Sequence, residues 1–464
     1  MKKSLISLIS AILCLAMVFG LAACAPVAPE NDDPVIDNPA DDLLPDEPDT
    51  PELPEEPEVV TPNTGNASDS EVTEDEVDPP LVDATPATDG LKFKLTDDGK
   101  GYKVFTYTGT ETNVYIPFAY LGLPVVAIGY KAFDETPITS VNIPDTVKSI
   151  DQYAFNRTAI STVHIPASVS EIAELAFIDN ELLETVTVDS DNPVYRVVEN
   201  CLVKGDTIVL GVKQSVIPND PTVTAIANGA FRGASIVSVS IPENIKTFGK
   251  GIFIGCKSLS TVSFYTGLEK IEDSMFVGCE SLASVEIPNT VKTIGARAFQ
   301  SCSKLLQISI PASVITISQY AFADCGLLNT VNLENGVTTI GGSAFKNCSS
   351  LASIVIPDSV VSIGAVAFWE CRSLASVSLG TSSSSRLGSL GGGAFYNCSA
   401  LREIFIPESV YELGVNLFWG CSYTETDDDG KVVATFTVKC EKARYLKEEE
   451  WGCGAKILYN QTRP

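Results

Sequence analysis

Histidine is nearly absent from this chain of 464 residues: there is one, His164. That excludes most catalytic and metal schemes built on paired imidazoles. Basic residues are missing from residues 25–90, a stretch that holds 21 Asp and Glu, 13 prolines and no aromatic ring. Such a segment cannot bury enough apolar surface to offset the entropy of ordering it. From Leu91 onward the balance is milder, with 38 acids against 29 bases. No basic stripe occurs, so nucleic acid is not an expected partner. Nucleophile elbows, phosphate loops and zinc-ligand spacings are also lacking. The run "GGGAF" at Gly391 to Phe395 is a glycine-rich version of a repeated turn described below. Catalysis is therefore not expected, and no cofactor, catalytic residue or metal ligand is assigned.

What is present begins with Lys2 and Lys3, an apolar run from Leu5 to Leu21, and then "LAAC" ending at Cys24. This is a secretory signal with small residues before the cut. An ordinary signal peptide or an uncleaved anchor would share the first two features, but the run is short for a membrane span. Leu21-Ala22-Ala23-Cys24 resembles the lipobox of bacterial lipoproteins. That resemblance implies cleavage after Ala23 and a diacylglyceryl group on the Cys24 sulfur, with export and attachment to a bacterial membrane facing the cell surface. Two acyl chains anchor stably where one binds marginally. Residues 1–23 are thus read as the signal and 24–90 as an acidic, proline-rich tether. Fully extended, the tether would reach ~200 Å, and as a relaxed coil ~45 Å.

Twelve phenylalanines from Phe133 to Phe418 mark a repeat. Most steps are 22 or 23 residues; the step from Phe177 to Phe231 is 54 and that from Phe368 to Phe395 is 27. Alanine precedes the ring in nine of twelve cases. A fixed period in the twenties predicts a solenoid, in which each unit buries its apolar edge only against its neighbours. In "SVEIPNTVKTIGARAFQSC", Ser284 to Cys302, the alternation in "SVEI" predicts a short strand with Val285 and Ile287 inward. Pro288 ends it. Val291 and Ile294 form a second inward pair, Gly295 permits a tight turn, and Ala298 and Phe299 fill the next bend. Within the long step, Tyr195 to Val203 and Thr207 to Val212 are predicted as two strands joined around Gly205-Asp206, a hairpin inserted near 189–216. "TSSSSRLGSL" accounts for the 27-residue step as a surface insertion.

The pattern L-x-x-V-x-I-P-x-x-V-x-x-I-G-x-x-A-F-x-x-C resembles the BspA-type leucine-rich repeat family over residues 91–421. The resemblance implies a repeat solenoid of leucine-rich-repeat type. Short parallel strands would line one face of a curved right-handed stack, with turns and short helical segments between them. It also implies a surface or secreted protein that binds other macromolecules and has no general catalytic activity. Residues 422–464 are then expected to cap the last coil.

Eight cysteines, from Cys256 to Cys421, share one repeat position and must form a column. Disulfides between column neighbours are awkward because their Cβ vectors are parallel. Metal binding needs converging ligands, which a column spreads apart. A small buried residue at a tight turn is the simpler role. Cys440 and Cys453 are candidates for a bridge across the terminal segment. His164, between inward Val163 and Ile165, is placed outward on the strand face with Ser, Thr, Asn and Glu neighbours; Val355 and Phe405 later join that face.

The residue after the Phe is Asp134, Asn156, Arg232, Gln300, Ala323 and Lys346 in various coils, then Trp369, Tyr396 and Trp419 in three successive ones. Such a row marks either an interface for an extracellular protein or glycan, or a surface buried when the tail folds back. Together these features predict a lipid-anchored, non-catalytic binding or adhesion module. The candidate ligand-binding residues are Trp369, Tyr396, Trp419 and Phe405. The alternative is a structural spacer of the cell envelope without a specific ligand.

Overall fold

The computed structural model describes residues 87–421, then 424–426, 432–434, 436–440, 456–458 and Gln461. Cys24, the tether up to residue 86, Trp451 and Cys453 lie outside the described residues. No helix occurs among those described, and parallel strand pairs recur from Tyr102 to the tail. The solenoid expected from the repeat is therefore present, but without the short helical segments.

Most coils contribute a strand of three or four residues, a two-residue strand and a bend around the repeat Phe. The two-residue strands make the longest ladder. Seven of them, from Lys270–Ile271 to Glu412–Leu413, pair in parallel in one sheet. The longer strands pair mostly in twos, such as Gln307–Ile310 with Thr330–Leu333. Residues 284–287 are not a strand, contrary to expectation, although Ile287 is buried and Glu286 exposed as the alternation requires. The preceding coil is irregular: it carries Phe264 where other coils carry Ile, Leu or Val. That ring turns edge-on toward Phe276, with centroids 6.0 Å apart.

The bend is not helical because two residues in it are left-handed. Positive φ recurs two residues before and two after every repeat Phe: Arg297 at 57° and Ser301 at 59° flank Phe299, and Tyr320 at 57° and Asp324 at 60° flank Phe322. A right-handed helical run cannot pass through such residues. Instead the bend bonds from coil to coil. The Arg297, Phe299 and Ser301 N–H groups donate to Gln319, Ala321 and Ala323 carbonyls at 2.9, 2.8 and 2.9 Å. Each coil thus satisfies its buried bend through the next one.

Rings stack inside this ladder. From Phe253 to Phe395 successive ring centroids are 5.3 or 5.4 Å apart, with interplanar angles between 3° and 12°. All of these rings are fully buried. Burying a ring of this size contributes about 2–3 kcal/mol. Phe436 adds one more ring, 5.1 Å from Phe418, and Thr437–Cys440 pairs in parallel with Glu403–Ile406. The described part of the tail therefore prolongs the stack.

Gly295 serves a purpose other than the expected turn. Its φ is not positive. A Cβ there would lie 2.7 Å from the Asp273 backbone N and 2.8 Å from the Glu272 carbonyl carbon, both in the preceding coil. Glycine is needed for close approach of two backbones. The same contact recurs at Gly364, where a Cβ would lie 2.4 Å from Gly342 N.

The insertion also differs from the expected single hairpin. Glu199 and Asn200 have φ of 48° and 60°, which turns the first strand back on itself. Tyr195–Val198, Cys201–Lys204 and Thr207–Gly211 form a three-stranded antiparallel meander. It is an internal partition rather than a surface flap. Leu202 belongs to the buried cluster that runs from Val104 to Val212, whereas Cys201 and Val203 belong to the cluster that continues to Cys440. Both faces of the strand are buried, which explains the unbroken apolar run "CLV".

Replacing Gly364 with Ala is expected to lower stability by about 1–3 kcal/mol, since the new methyl meets backbone rather than a movable side chain. Urea denaturation followed by far-ultraviolet dichroism measures this, and an unchanged midpoint would contradict the close-approach reading.

Candidate functional site

The cysteine column is the most regular chemical feature of the fold. All eight thiols, from Cys256 to Cys421, are buried and unbridged. Each donates to the carbonyl of the repeat Phe one coil earlier. Cys256 Sγ is 3.1 Å from Phe231 O, Cys302 Sγ 3.3 Å from Phe276 O, and Cys421 Sγ 3.0 Å from Phe395 O. Near the N-terminus other residues take the position. Asn180 Nδ2 donates to Phe155 O at 2.7 Å and to Phe177 O at 2.8 Å. The position is thus not tied to sulfur: Asn180 bonds there without it, and in the coil of Phe231 the buried Ala234 fills it with no side-chain bond. Among the described residues no cluster of His, Cys, Asp or Glu is arranged to hold a metal ion.

Burial pushes the thiols up, to about 12 at Cys302 and at Cys371. The fold therefore favours the protonated thiol. This contribution is fully present below the ordinary thiol value of about 8.5. As pH climbs from there toward 12, the unfolded chain loses its protons first and stability falls, by up to about 1.4 kcal/mol per pH unit for each thiol. Urea midpoints at pH 7 and pH 10 should fall apart accordingly, and the difference should shrink in a Cys302→Ala, Cys371→Ala double variant. Equal slopes in both proteins would remove the thiols as its source.

His164 lies exposed in Thr162–Ile165, and its Nδ1 is 3.0 Å from Thr187 Oγ1 in the paired strand. Its partner there is a hydroxyl, and among the described residues no carboxylate pairs with its ring. Val355 is exposed in Ser353–Ile356, as the alternation predicts. Phe405 is half-buried in Glu403–Ile406, opposite Lys439 in the register of the next strand.

Trp369, Tyr396 and Trp419 are brought together. The bend carries them directly after Phe368, Phe395 and Phe418, so the same stacking that aligns those rings aligns these. Centroids of Trp369 and Tyr396 are 5.8 Å apart and edge-on; those of Tyr396 and Trp419 are 6.4 Å apart and nearly parallel. Lys346 Nζ sits 4.3 Å above the Trp369 ring and extends the row by one coil. Sequence reasoning placed Lys346 in this column but did not couple it to the aromatics. All three rings are half-buried. Trp369 Nε1 is buried without an acceptor, which costs about 1–3 kcal/mol. Phe405 lies apart from this row: it is on the strand face, whereas the row is on the bend.

Comparisons with known proteins place these features in a family. A family model described as "BspA type Leucine rich repeat region" matches six copies, over residues 103–204, 224–352 and 315–432. A search of curated proteins finds no match. Among solved structures, the chain is similar to a leucine-rich cell surface protein from Faecalibacterium prausnitzii, at 24% identity and a TM-score of 0.38, covering 55% of this chain and 96% of that one. A leucine-rich repeat protein from Eubacterium ventriosum matches at 20% identity and a TM-score of 0.41, covering 56% of this chain and 93% of that one. The pneumococcal vaccine antigen PcpA matches at 16% identity and a TM-score of 0.35, covering 82% of this chain and 86% of its own. With its repeats matched over more than half of its length, the chain belongs to the BspA-type leucine-rich repeat family.

Proposed function

We propose that this chain is a non-catalytic recognition protein of the bacterial cell surface, tethered by lipid on Cys24. In this reading it binds an extracellular protein or glycan through Trp369, Tyr396 and Trp419. The observation that carries the reading is the half-buried aromatic row in three successive coils, flanked by Lys346. In the same column Ile254, Val277 and Ala323 are small or aliphatic and buried. Stability alone is met by such residues. Large rings that leave part of their surface in water, with an orphaned indole N–H among them, are what an interface uses. Phe405 and the exposed Val355 offer apolar surface on the strand face of these late coils. The acidic tether holds the domain away from the membrane that the lipid would enter.

Arrays of glycans and extracellular proteins test the binding. The triple variant Trp369→Ser, Tyr396→Ser, Trp419→Ser is expected to fold and to lose at least about a hundredfold in affinity for a ligand of the native chain, given about 2 kcal/mol or more for a buried aromatic anchor. A folded variant that binds as well as the native chain would move recognition elsewhere. For the anchor, cells fed an alkyne fatty acid should label the native chain and not Cys24→Ala. Label retained in that variant would sink the lipid assignment.

A further inference from the structure

The meander interrupts the solenoid at one level. Coil-to-coil bonding persists at the outer end of the bend, where the Asp179 N–H donates to the Arg232 carbonyl at 3.2 Å. At the phenylalanine it does not. The Gly211 N–H takes the Ala230 carbonyl at 2.7 Å, the acceptor that Phe177 would reach in a regular stack. Gly211 also lies against the Phe231 ring, so closely that a Cβ would come within 2.1 Å of it. Ring stacking runs from Phe133 through Phe155 to Phe177 and starts again at Phe231. The coils are held together at one end and pried apart at the other.

A cavity of about 310 Å³ opens in that wedge, within the size range of small-ligand sites. Leu175, Phe177, Val209 and Leu210 give it apolar walls. Arg232 lines it as well. This is the one Lys, Arg, Asp or Glu that is buried among the described residues, with its side chain 4% exposed. Its column neighbours are Ile178 and Ile254, both buried. A buried guanidinium between two isoleucines is not required for packing, because replacing buried charge with a fitting apolar residue is often neutral or stabilising. Its carboxylate neighbour Asp179, 3.5 Å from Nε, is divided between this guanidinium and Arg157 at 3.8 Å. Lys204 brings a second positive charge to the lining and Glu174 a negative one, which accepts from Asn228 Nδ2 at 3.2 Å.

We propose that this cavity binds a small amphipathic carboxylate. The apolar body lies against Leu175, Val209 and Leu210, and the carboxylate meets Arg232. The site is independent of the aromatic row, which lies six to eight coils further along the sequence repeat, and stands or falls separately from it. A guanidinium suits a carboxylate because its planar fork matches the two oxygens.

Calorimetric titration of the full chain tests this with hexanoate, decanoate and phenylbutyrate, each beside its amide. At least one carboxylate should bind saturably, with its amide at least tenfold weaker. Arg232→Ile, which restores the column residue, should fold and erase that preference. Arg232→Lys keeps the charge and loses the fork, so it should retain binding with a smaller preference. Absence of saturable binding by all three acids, equal affinity for acid and amide, or a preference that survives in folded Arg232→Ile would overturn the proposal. Should Arg232→Ile fail to fold, Arg232 is a structural residue. The proposal then falls unless Arg232→Lys folds and shows the reduced preference. Filling the cavity with Ala227→Leu, which leaves the guanidinium in place, should abolish binding of the acids.

Discussion

The bend around each phenylalanine is the constraint on which the molecule depends. Two left-handed residues reverse the chain on either side of the ring, and this reversal aims three N–H groups at the next coil. The ring is then buried because nothing else can fill the turn. Seventeen of these flanking positions hold residues other than glycine, Val366 among them. Left-handed backbone costs an ordinary residue roughly 1–2 kcal/mol. That strain is tolerated because each reversal is bonded to the one before and the one after. An isolated coil has no such partner, which is the physical reason the unit exists only in a stack.

Much of this was legible in the sequence, and for a simple reason. Burial repeats, so the inward residues recur at a constant spacing; Val291, Ile294, Ala298 and Phe299 could be placed inside from their period alone. Left-handed backbone does not announce itself in that way. Arg297, Tyr320, Ser343 and Val366 share a conformation and no chemistry. Gly295 was misread for the complementary reason: a conserved spacing of glycines shows where a side chain is not tolerated, not whether φ or a neighbouring backbone forbids it. The meander was half legible. Its second turn carries Gly205-Asp206, a recognisable signal. The first carries Glu199-Asn200, which has no such signature and is set by burial on both sides of Cys201–Lys204.

The cysteine column shows how a repeated reactive residue can be chemically silent. Each sulfur faces a carbonyl of the previous bend, in a space too dry for a thiolate. Asn180 fills the same station and makes two shorter bonds there. Cysteine is the smaller solution, and in each regular coil its sulfur is buried against that carbonyl. Spacing in a sequence thus signals shared environment before it signals shared chemistry.

Function is to be sought where the stack departs from its own rule, and the column that follows the phenylalanine makes the case. In four coils this column holds apolar residues that satisfy the interior: Ile178, Ile254, Val277 and Ala323 are all buried. Asp134, Asn156, Gln300 and Lys346 are polar, and two further places depart from apolar packing in opposite senses. Arg232 puts a charge where burial disfavours it, at the level where the meander has opened a cavity. Trp369, Tyr396 and Trp419 put large rings where the column needs only small ones, and leave them partly in water. Neither departure improves the packing that the remaining coils achieve without it. A repeat protein can vary its stations almost independently, since each coil contacts only its neighbours. Its costly exceptions are therefore the positions at which selection for something other than folding is most directly visible.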